Sequence, residues 1–426
     1  SRRAAVSLGA PAAAAARGPG AAAAGRGRRG LAQFAGLRDP AVLTSTPAFR
    51  KAAGPIPVLR LVDEEGRVAS GAVLPFSLEE AVAMHRTMVR VSVVDQILSS
   101  LQRQGRISFY MTGTGEEAAQ VGTAFGLGPQ DVMWPQYREL GALMQRGFTV
   151  GQVVDQCLGR GADPGKGRQM PVHYTDAALN IQSITSPLGT QIPQAAGAGY
   201  GFRVGGEPRC GVAYFGDGAA SEGDFAVALN FAATLRAQTI FICRNNGWAI
   251  STPAKEQYAG DGIAARAIAY GVSCIRADGN DLAAVVLATQ QARELCLGGE
   301  PVVVELMTYR RGHHSTSDDA TRYRGGTEVK TMARAGLEPI SRMRLVLERE
   351  RLWNDDIEGQ LRDATRDEVM DALRKAEAKK FYPVRDMFED VWASPSPQLL
   401  RQRGELEEHV ARHAPAYAKS LERFQP

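Results

Sequence analysis

Cysteine and histidine are scarce in this 426-residue sequence, and their scarcity excludes two kinds of site. The five cysteines are far apart, at positions 157, 210, 243, 274 and 296, and no two of them form a C-x-x-C pair. Cysteines so scattered build neither a disulfide framework nor a common type of zinc site. We therefore expect reduced thiols that pack as small apolar residues, as in an enzyme of the cytosol or an organelle matrix.

Acidic residues are absent from the first 38 positions, which contain seven arginines and two runs of alanine. This composition is typical of a transit peptide, and we predict one, or a disordered leader, over residues 1–45. Removing these seven charges from the net charge of +4 leaves about −3, which gives no reason to expect a nucleic-acid partner. No apolar run approaches the ~18 residues of a membrane span, so we expect no membrane partner.

A long helix is predicted to begin after Ser77, because Glu80 stands three positions later as a capping-box partner. Apolar residues then recur every three or four positions until Gly105, which predicts one buried stripe on this helix. The residues of the stripe are Met84, Met88, Val91, Val94, Leu98 and Leu101.

Short apolar segments alternate with helical segments from about residue 207. Predicted strands cover 211–215, 239–243, 273–277 and 301–308, and predicted helices cover 224–236 and 281–297. This alternation indicates an α/β fold with a parallel sheet flanked by helices, which we assign to residues 46–338. Residues 339–426 are strongly charged and helical in pattern, and we predict a C-terminal helical extension there.

Two polar loops follow consecutive predicted strands, Gly216-Asp217-Gly218 and Asn245-Asn246. The 26 residues between Gly218 and Asn245 suffice for one crossover helix and the return strand, so both loops can face one cleft. The carboxylate of Asp217 and the amide oxygen of Asn246 suit Mg²⁺, and glycines allow a phosphate to approach the backbone. Each loop alone is an ordinary turn, but together at this spacing they indicate a magnesium-diphosphate site.

Six motifs occur in the order typical of one enzyme family. They are RISFYM (106–111), QYRE (136–139), GKGRQMPVH (165–173), TSPLGTQIP (185–193), RNNGWAISTP (244–253) and RGHHSTSDD (311–319). In these motifs the sequence resembles the alpha subunits of the decarboxylating, thiamin diphosphate-dependent component of mitochondrial branched-chain 2-oxo acid dehydrogenase complexes. The resemblance extends from about residue 45 to near the C-terminus.

The resemblance implies a set of site residues. It implies that Mg²⁺ is held by Asp217, Asn246 and the backbone carbonyl of Trp248, where many relatives have tyrosine. Implied cofactor contacts are Tyr137, Arg138, Ser186, Leu188, Gly218, Ala219, Arg244 and the catalytic His314, which can also move protons. Implied K⁺ ligands are Thr185, Pro187, Thr190 and Gln191, and the implied acyl pocket comprises Phe109, Gln136, Tyr137 and Leu188.

The implied activity is oxidative decarboxylation of branched-chain 2-oxo acids in the mitochondrial matrix, with transfer of the acyl group to a lipoyl arm on the transacylase core. The chain has room for one α/β domain, so the carboxylate that activates the cofactor should come from a beta subunit in an α2β2 heterotetramer. Ser315 matches the family's inhibitory phosphorylation site, which implies a kinase and a phosphatase. A phosphate there would lie beside the diphosphate and repel it.

Two alternatives stay open on the sequence alone. A pyruvate dehydrogenase alpha subunit shares the magnesium motif, although its loop usually reads H-G-H-S where this chain has His313-His314-Ser315. A non-catalytic subunit that only scaffolds the complex is the other alternative. Such a subunit should have lost its cofactor ligands, whereas Asp217 and Asn246 are both present here.

Overall fold

The computed structural model describes residues 31–32, 41–42, 54–334 and 338–425. The chain divides into two compact units, residues 1–54 and 55–426. In the first unit, strand β1 (Leu31–Ala32) pairs antiparallel with β2 (Ala41–Val42). The transit peptide predicted over residues 1–45 otherwise lies outside the described residues, and it stays a prediction.

The second unit alternates strands and helices. Its strands are β3 (Val58–Leu59), β4 (Val132–Trp134), β5 (Gly211–Gly216), β6 (Thr239–Asn245), β7 (Trp248–Ala249), β8 (Thr252–Pro253), β9 (Ser273–Asp278) and β10 (Val302–Met307). Its α-helices are α1 (Leu78–Arg103), α2 (Glu117–Gly126), α3 (Leu140–Gln145), α4 (Val150–Leu158), α5 (Gln191–Gly205), α6 (Gly223–Leu235), α7 (Ala254–Gln257), α8 (Ala264–Ala269), α9 (Leu282–Leu297), α10 (Gly326–Arg334), α11 (Pro339–Arg349), α12 (Asp355–Ala378), α13 (Pro397–Arg412) and α14 (Ala414–Leu421). Short 3₁₀ helices cover Ala219–Ser221, Ala320–Arg322 and Val384–Phe388.

Six of the strands form one parallel sheet in the order β3-β9-β10-β6-β5-β4. Strands β5 and β6 lie near its centre and are buried along almost their whole length, because helices cover both faces. Continuous apolar strands are what such double coverage requires. The predicted α/β fold with a parallel sheet flanked by helices is confirmed.

Two apolar clusters pack on opposite faces of the sheet. On one face, helices α1, α4 and α9 contribute buried residues that include Val94, Val153 and Val285. On the other face, α5 and α6 contribute Ile192 and Phe225. The sheet is therefore packed between two apolar layers.

Helix α1 begins as predicted, with both hydrogen bonds of the capping box between Ser77 and Glu80. Met84 and Met88 are fully buried, as the stripe predicted. The C-terminal region is helical, as expected. Its helix α12 packs on α1 and α4 and places Leu373 in the main apolar cluster, so this region contributes to the core of the second unit.

Candidate active site

The two polar loops predicted from the sequence lie next to each other at the carboxyl edge of the sheet. Gly216, the last residue of β5, pairs directly with Arg244 in β6. This register places Asp217 and Asn246 on the walls of one cleft of about 440 Å³. The cleft is therefore built by adjacent strands, as ligand sites in open parallel sheets generally are.

Fourteen residues that were predicted for the site line this cleft. They are Phe109, Gln136, Tyr137, Arg138, Thr185, Ser186, Leu188, Asp217, Gly218, Ala219, Arg244, Asn246, Trp248 and His314. Four predicted residues do not line it, namely Pro187, Thr190, Gln191 and Ser315. Met111, Met170, His173, Glu222 and Ile250 also line the cleft, and the sequence did not single them out.

Asp217 presents a buried carboxylate to the cleft. Burial raises the pKa of Asp217 to about 6, and the nearby negative charge of Glu116 adds to this effect. The only side chain that donates to its carboxylate, among the described residues, is Gln257, over a long distance of 3.4 Å. A bound cation would stabilise the ionised form of this carboxylate, because a nearby opposite charge favours that form.

Gly218 allows the polypeptide to fold closely around the cleft. A Cβ atom at Gly218 would lie 2.9 Å from the Cβ of Ala249, in the hairpin formed by β7 and β8. Any larger residue would therefore push the Asp217 loop away from the Trp248 hairpin. Gly247 starts that hairpin with φ of +81°, a conformation that glycine adopts without strain.

Arg244 is held between two buried carboxylates to which the sequence analysis assigned no role. Its Nη1 donates to Glu116 and its Nε donates to Glu139, each over 2.6 Å. Its Nη2 lies 2.6 Å from the same Glu139 oxygen but makes no properly directed hydrogen bond. Arg244 therefore keeps buried N–H groups at the cleft that can bind an anionic oxygen of a ligand.

Glu139 also fixes the QYRE turn beside the cleft. Its second carboxylate oxygen accepts hydrogen bonds from the backbone N–H groups of Gln136 and Tyr137, each over 2.9 Å. The side-chain oxygen of Gln136 accepts from the backbone N–H of Gly216 over 2.8 Å. The turn and the end of β5 are thus joined by a direct hydrogen bond.

Asn246 and Asn245 face different parts of the molecule. The Asn246 side chain lines the cleft, and its Oδ1 accepts from the backbone N–H of Trp248 over 3.1 Å. The amide nitrogen of Asn245 instead donates to Glu305 and to the hydroxyl of Tyr258. The second asparagine of the predicted pair is therefore the one available to a ligand.

His314 reaches the cleft from the loop after β10. Burial, followed by the positive charges of Arg138 and Arg310, lowers the pKa of His314 to about 3. Its backbone N–H donates to Asp318 over 2.8 Å, which fixes the turn of the loop. The imidazole is therefore neutral at physiological pH.

The His314 loop is joined to the Trp248 hairpin by Arg310. Ile250, in the hairpin turn, has φ of +53°, which is strained for a β-branched residue. Arg310 donates to the carbonyl of Ile250 and to the hydroxyl of Tyr323, each over 2.8 Å. The ring of Tyr323 packs 5.5 Å from that of Trp248, so the two loops form one wall.

The predicted K⁺ ligands lie together in one turn before and at the start of α5. Thr185 Oγ1 lies 2.9 Å from Thr190 Oγ1, and the Thr190 hydroxyl donates to the carbonyl of Pro187. The side-chain nitrogen of Gln191 donates to the carbonyl of Tyr214. This turn carries Ser186 and Leu188 into the cleft, so an ion bound there would stabilise the cleft wall.

Ser315 lies on a different side of its loop from the cleft. It lines a separate cavity of about 340 Å³ together with Arg103, Asp318 and Asp319. Its side chain is 8% exposed, and its Oγ accepts from the backbone N–H of Ser317. A phosphate on Ser315 would therefore enter this separate cavity and not the predicted diphosphate position.

His173 is a cleft residue that the sequence analysis missed, although it ends one of the quoted motifs. Its Nε2 lies 2.8 Å from the Ser186 hydroxyl, and its Nδ1 lies 3.1 Å from the carbonyl of Pro171. Val172, which lies between Pro171 and His173 in the sequence, is fully buried and has φ of +65°. Strain of this kind in a buried β-branched residue is typical of functional segments, and it could not be read from residue types.

The residues of the cleft fit a magnesium-bound diphosphate. A buried carboxylate without a strong partner, an amide oxygen and free arginine N–H groups are the donors and acceptors that such a ligand needs. Among residues 54–334 and 338–425, no group of three His, Cys, Asp or Glu side chains could hold a metal. A site made of one carboxylate, one amide and one backbone carbonyl does not require such a group.

In the part of the chain that the structure describes, no helix has both the length and the apolar character of a membrane span.

Comparison with known proteins assigns the family. A family model described as the dehydrogenase E1 component matches residues 85–385. The mitochondrial 2-oxoisovalerate dehydrogenase alpha subunits of Dictyostelium discoideum and Caenorhabditis elegans are both 47% identical to this chain, over 85% of it and over 82% and 84% of their own lengths. That of Mus musculus is 45% identical, over 85% of this chain and 82% of its own. The chain belongs to the dehydrogenase E1 component family, among the alpha subunits of 2-oxoisovalerate dehydrogenase.

Proposed function

We propose that this chain is the alpha subunit of an enzyme that decarboxylates branched-chain 2-oxo acids oxidatively, and that its cleft binds thiamin diphosphate through Mg²⁺. The observation that carries this proposal is the pairing of Gly216 with Arg244, which brings Asp217 and Asn246 to one cleft. The family and its named relatives support the substrate class.

Each part of the cleft has a proposed role. Asp217, Asn246 and the carbonyl of Trp248 hold Mg²⁺. The diphosphate contacts are Tyr137, Arg138, Ser186, Gly218, Ala219, Arg244 and His314. When bound, thiamin diphosphate supplies a nucleophilic carbon and an electron sink for decarboxylation.

The acyl end of the substrate meets apolar side chains. Phe109 and Leu188 line the cleft, with Gln136 and Tyr137 beside them. An apolar pocket discriminates by only ~1–3 kcal/mol per methylene, so branched acids are preferred and smaller ones are not excluded. A K⁺ ion on Thr185, Pro187, Thr190 and Gln191 stabilises the turn that carries Leu188.

A partner chain completes the site. The described residues of the second unit hold one parallel sheet of six strands, which provides the diphosphate half of a thiamin site. The carboxylate that activates the other end of the cofactor comes from a beta subunit in an α2β2 heterotetramer. The acyl group then passes to a lipoyl arm on the transacylase core, in the mitochondrial matrix. Phosphorylation of Ser315 by a kinase, reversed by a phosphatase, controls the loop of His314.

Turnover of two substrates tests this proposal. The chain is co-expressed with its beta subunit, and kcat/KM is measured on 3-methyl-2-oxobutanoate and on pyruvate. We expect the branched acid to be preferred by at least about tenfold, within the ~1–3 kcal/mol that each methylene provides. A preference for pyruvate would assign the chain to pyruvate dehydrogenase, and no thiamin-dependent turnover of either acid would leave only a scaffolding role.

A further inference from the structure

Glu116 lies behind the wall of the cleft and contacts two of its residues at once. It is fully buried at the start of α2 and is not among the residues that line the cleft. Its Oε1 accepts from Nδ2 of Asn246 over 2.8 Å, and its Oε2 accepts from Nη1 of Arg244 over 2.6 Å. One carboxylate thus joins the proposed metal ligand to a proposed phosphate contact.

These contacts set the orientation of the Asn246 side-chain amide. A carboxylate only accepts hydrogen bonds, so the amide nitrogen must face Glu116. Its oxygen then faces the opposite way, where it accepts from the backbone N–H of Trp248. Magnesium takes oxygen ligands, so a reversed amide would present a nitrogen that cannot bind the metal.

We infer that Glu116 is a positioning residue that fixes Asn246 with its oxygen toward the metal and holds Arg244 beside it. This inference rests on the proposed binding of Mg²⁺ and thiamin diphosphate in the cleft. Glu116 acts through Asn246 and Arg244 and touches neither ligand itself. Because the two side chains share one carboxylate, the metal site and the phosphate site are built together.

Glu139 provides a matched control for this role. It is also a buried carboxylate that holds Arg244, but its other hydrogen bonds go to the backbone of Gln136 and Tyr137. Both carboxylates therefore support the arginine, whereas Glu116 also supports Asn246. We expect Glu139→Gln to weaken thiamin diphosphate binding. At a saturating concentration of the cofactor, its affinity for Mn²⁺ should stay within about threefold of the parent.

The critical test reverses the donor and the acceptor between Glu116 and Asn246. Glu116→Gln has one acceptor oxygen where the carboxylate uses two, one for Asn246 and one for Arg244. Either the arginine therefore loses its partner or the Asn246 amide is reversed. Asn246→Asp alone sets two carboxylates against each other. In the double variant the new amide at position 116 can donate to the new carboxylate at position 246, whose second oxygen remains for the metal, so we expect rescue.

The affinity for Mn²⁺ is measured by titrating the ion into metal-free heterotetramer at a fixed, saturating concentration of thiamin diphosphate. The EPR signal of the free ion gives the bound fraction, and Mn²⁺ is used because it takes the same oxygen ligands as Mg²⁺. We expect about tenfold weaker binding in Glu116→Gln and in Asn246→Asp, as for one charged hydrogen bond. The double variant should return to within about threefold of the parent. An unchanged affinity in Glu116→Gln, or losses that multiply in the double variant, would overturn the inference.

Two further results keep the test decisive. If Glu116→Gln does not assemble, Asn246→Asp alone decides. A carboxylate is by itself a stronger metal ligand than an amide, so this substitution should tighten Mn²⁺ binding unless Glu116 opposes it. The inference predicts weaker binding, because the new carboxylate faces the intact carboxylate of Glu116. Tighter binding would then contradict the inference. Asp217→Ala separates this question from the proposed function: if it leaves Mn²⁺ affinity unchanged, the metal site itself is misplaced and both proposals fail.

Discussion

The side chain of Arg138 contacts both the backbone carbonyl and the imidazole ring of His314. Its guanidinium Nη2 lies 2.6 Å from the carbonyl oxygen of His314 and 3.1 Å from Nδ1 of the imidazole. Because a guanidinium only donates, Nδ1 is the acceptor and the neutral ring carries its proton on Nε2. His314 therefore offers an N–H donor to a ligand, and it does so without becoming positively charged.

Substitution of Arg138 tests this electrostatic control. The pKa of His314 is lowered to about 3 by burial and then by Arg138 and Arg310, so the ring of the parent should not ionise between pH 5 and 8. Arg138→Gln removes one charge and raises that pKa by about one unit or more. The acid limb of kcat/KM against pH should move to higher pH. Arg86→Gln, on the exposed side of α1, is the control, and identical profiles for parent and Arg138→Gln would contradict this account.

Glu117, next to the positioning residue, should make stability fall as pH rises. Burial raises the pKa of Glu117 to about 8, from an ordinary value near 4.5, so the folded protein holds a proton that the unfolded chain releases. The contribution of this carboxyl to stability is complete below about pH 4.5 and is lost as pH rises through 8. Glu117→Gln keeps an oxygen to accept from the N–H of Gly115 and cannot ionise.

We therefore expect Glu117→Gln to match the parent at pH 5 and to be more stable at pH 9, by roughly 1–3 kcal/mol. Denaturant unfolding at the two pH values measures the difference. Glu294→Gln, an exposed residue of α9, should show no such change with pH. Equal stabilities of parent and Glu117→Gln at pH 9 would show that the carboxyl is ionised at no cost.

Leu188 is predicted to set the preference for branched acids. It lines the cleft with 39% of its surface exposed, so a bound acyl chain could cover it. Leu188→Ala should lower the kcat/KM ratio of 3-methyl-2-oxobutanoate to pyruvate about tenfold, within the ~1–3 kcal/mol that an apolar contact provides. Leu295→Ala, on the exposed face of α9, is the control, and an unchanged ratio in Leu188→Ala would remove Leu188 from the acyl pocket.

A negative charge at Ser315 should loosen the loop of His314. Ser315 is nearly buried and shares its cavity with Asp318 and Asp319, so Ser315→Glu adds a like charge in a confined space. We expect faster cleavage by trypsin at the exposed Arg322 and about tenfold weaker thiamin diphosphate binding, because Asp318 also holds the backbone of His314. Ser317→Glu carries the same charge at an exposed position and should change neither quantity.

Much of this architecture could be predicted from local sequence signals. The Ser77 cap, strands β5 and β6 and the meeting of their two loops follow from patterns that are local in the sequence. Strands β3 and β4 were missed, because two or three residues carry no readable periodicity. β3 pairs with β9, which lies far along the chain, and no local pattern announces such a pairing.

The supports of the site were harder to predict than its ligands. Glu116 lies 128 residues from Arg244 and 130 from Asn246 in the sequence, so their contact depends on the folded sheet and not on a motif. The same applies to the protonation of His314, which is set by arginines from two different segments. Ser315 lines a different cavity from His314, and the adjacent His-Ser pair in the sequence does not reveal this.

The central claim is that Asp217 and its neighbours hold a magnesium-bound diphosphate, and calorimetric titration of the heterotetramer with thiamin diphosphate tests it most directly. The parent should bind only with Mg²⁺ present, and Asp217→Ala should lose at least about 100-fold in affinity, as loss of a charged metal ligand implies. Asp224→Ala, seven residues later in α6 and outside the cleft, should bind like the parent. Binding of equal strength by the parent and Asp217→Ala would contradict the account.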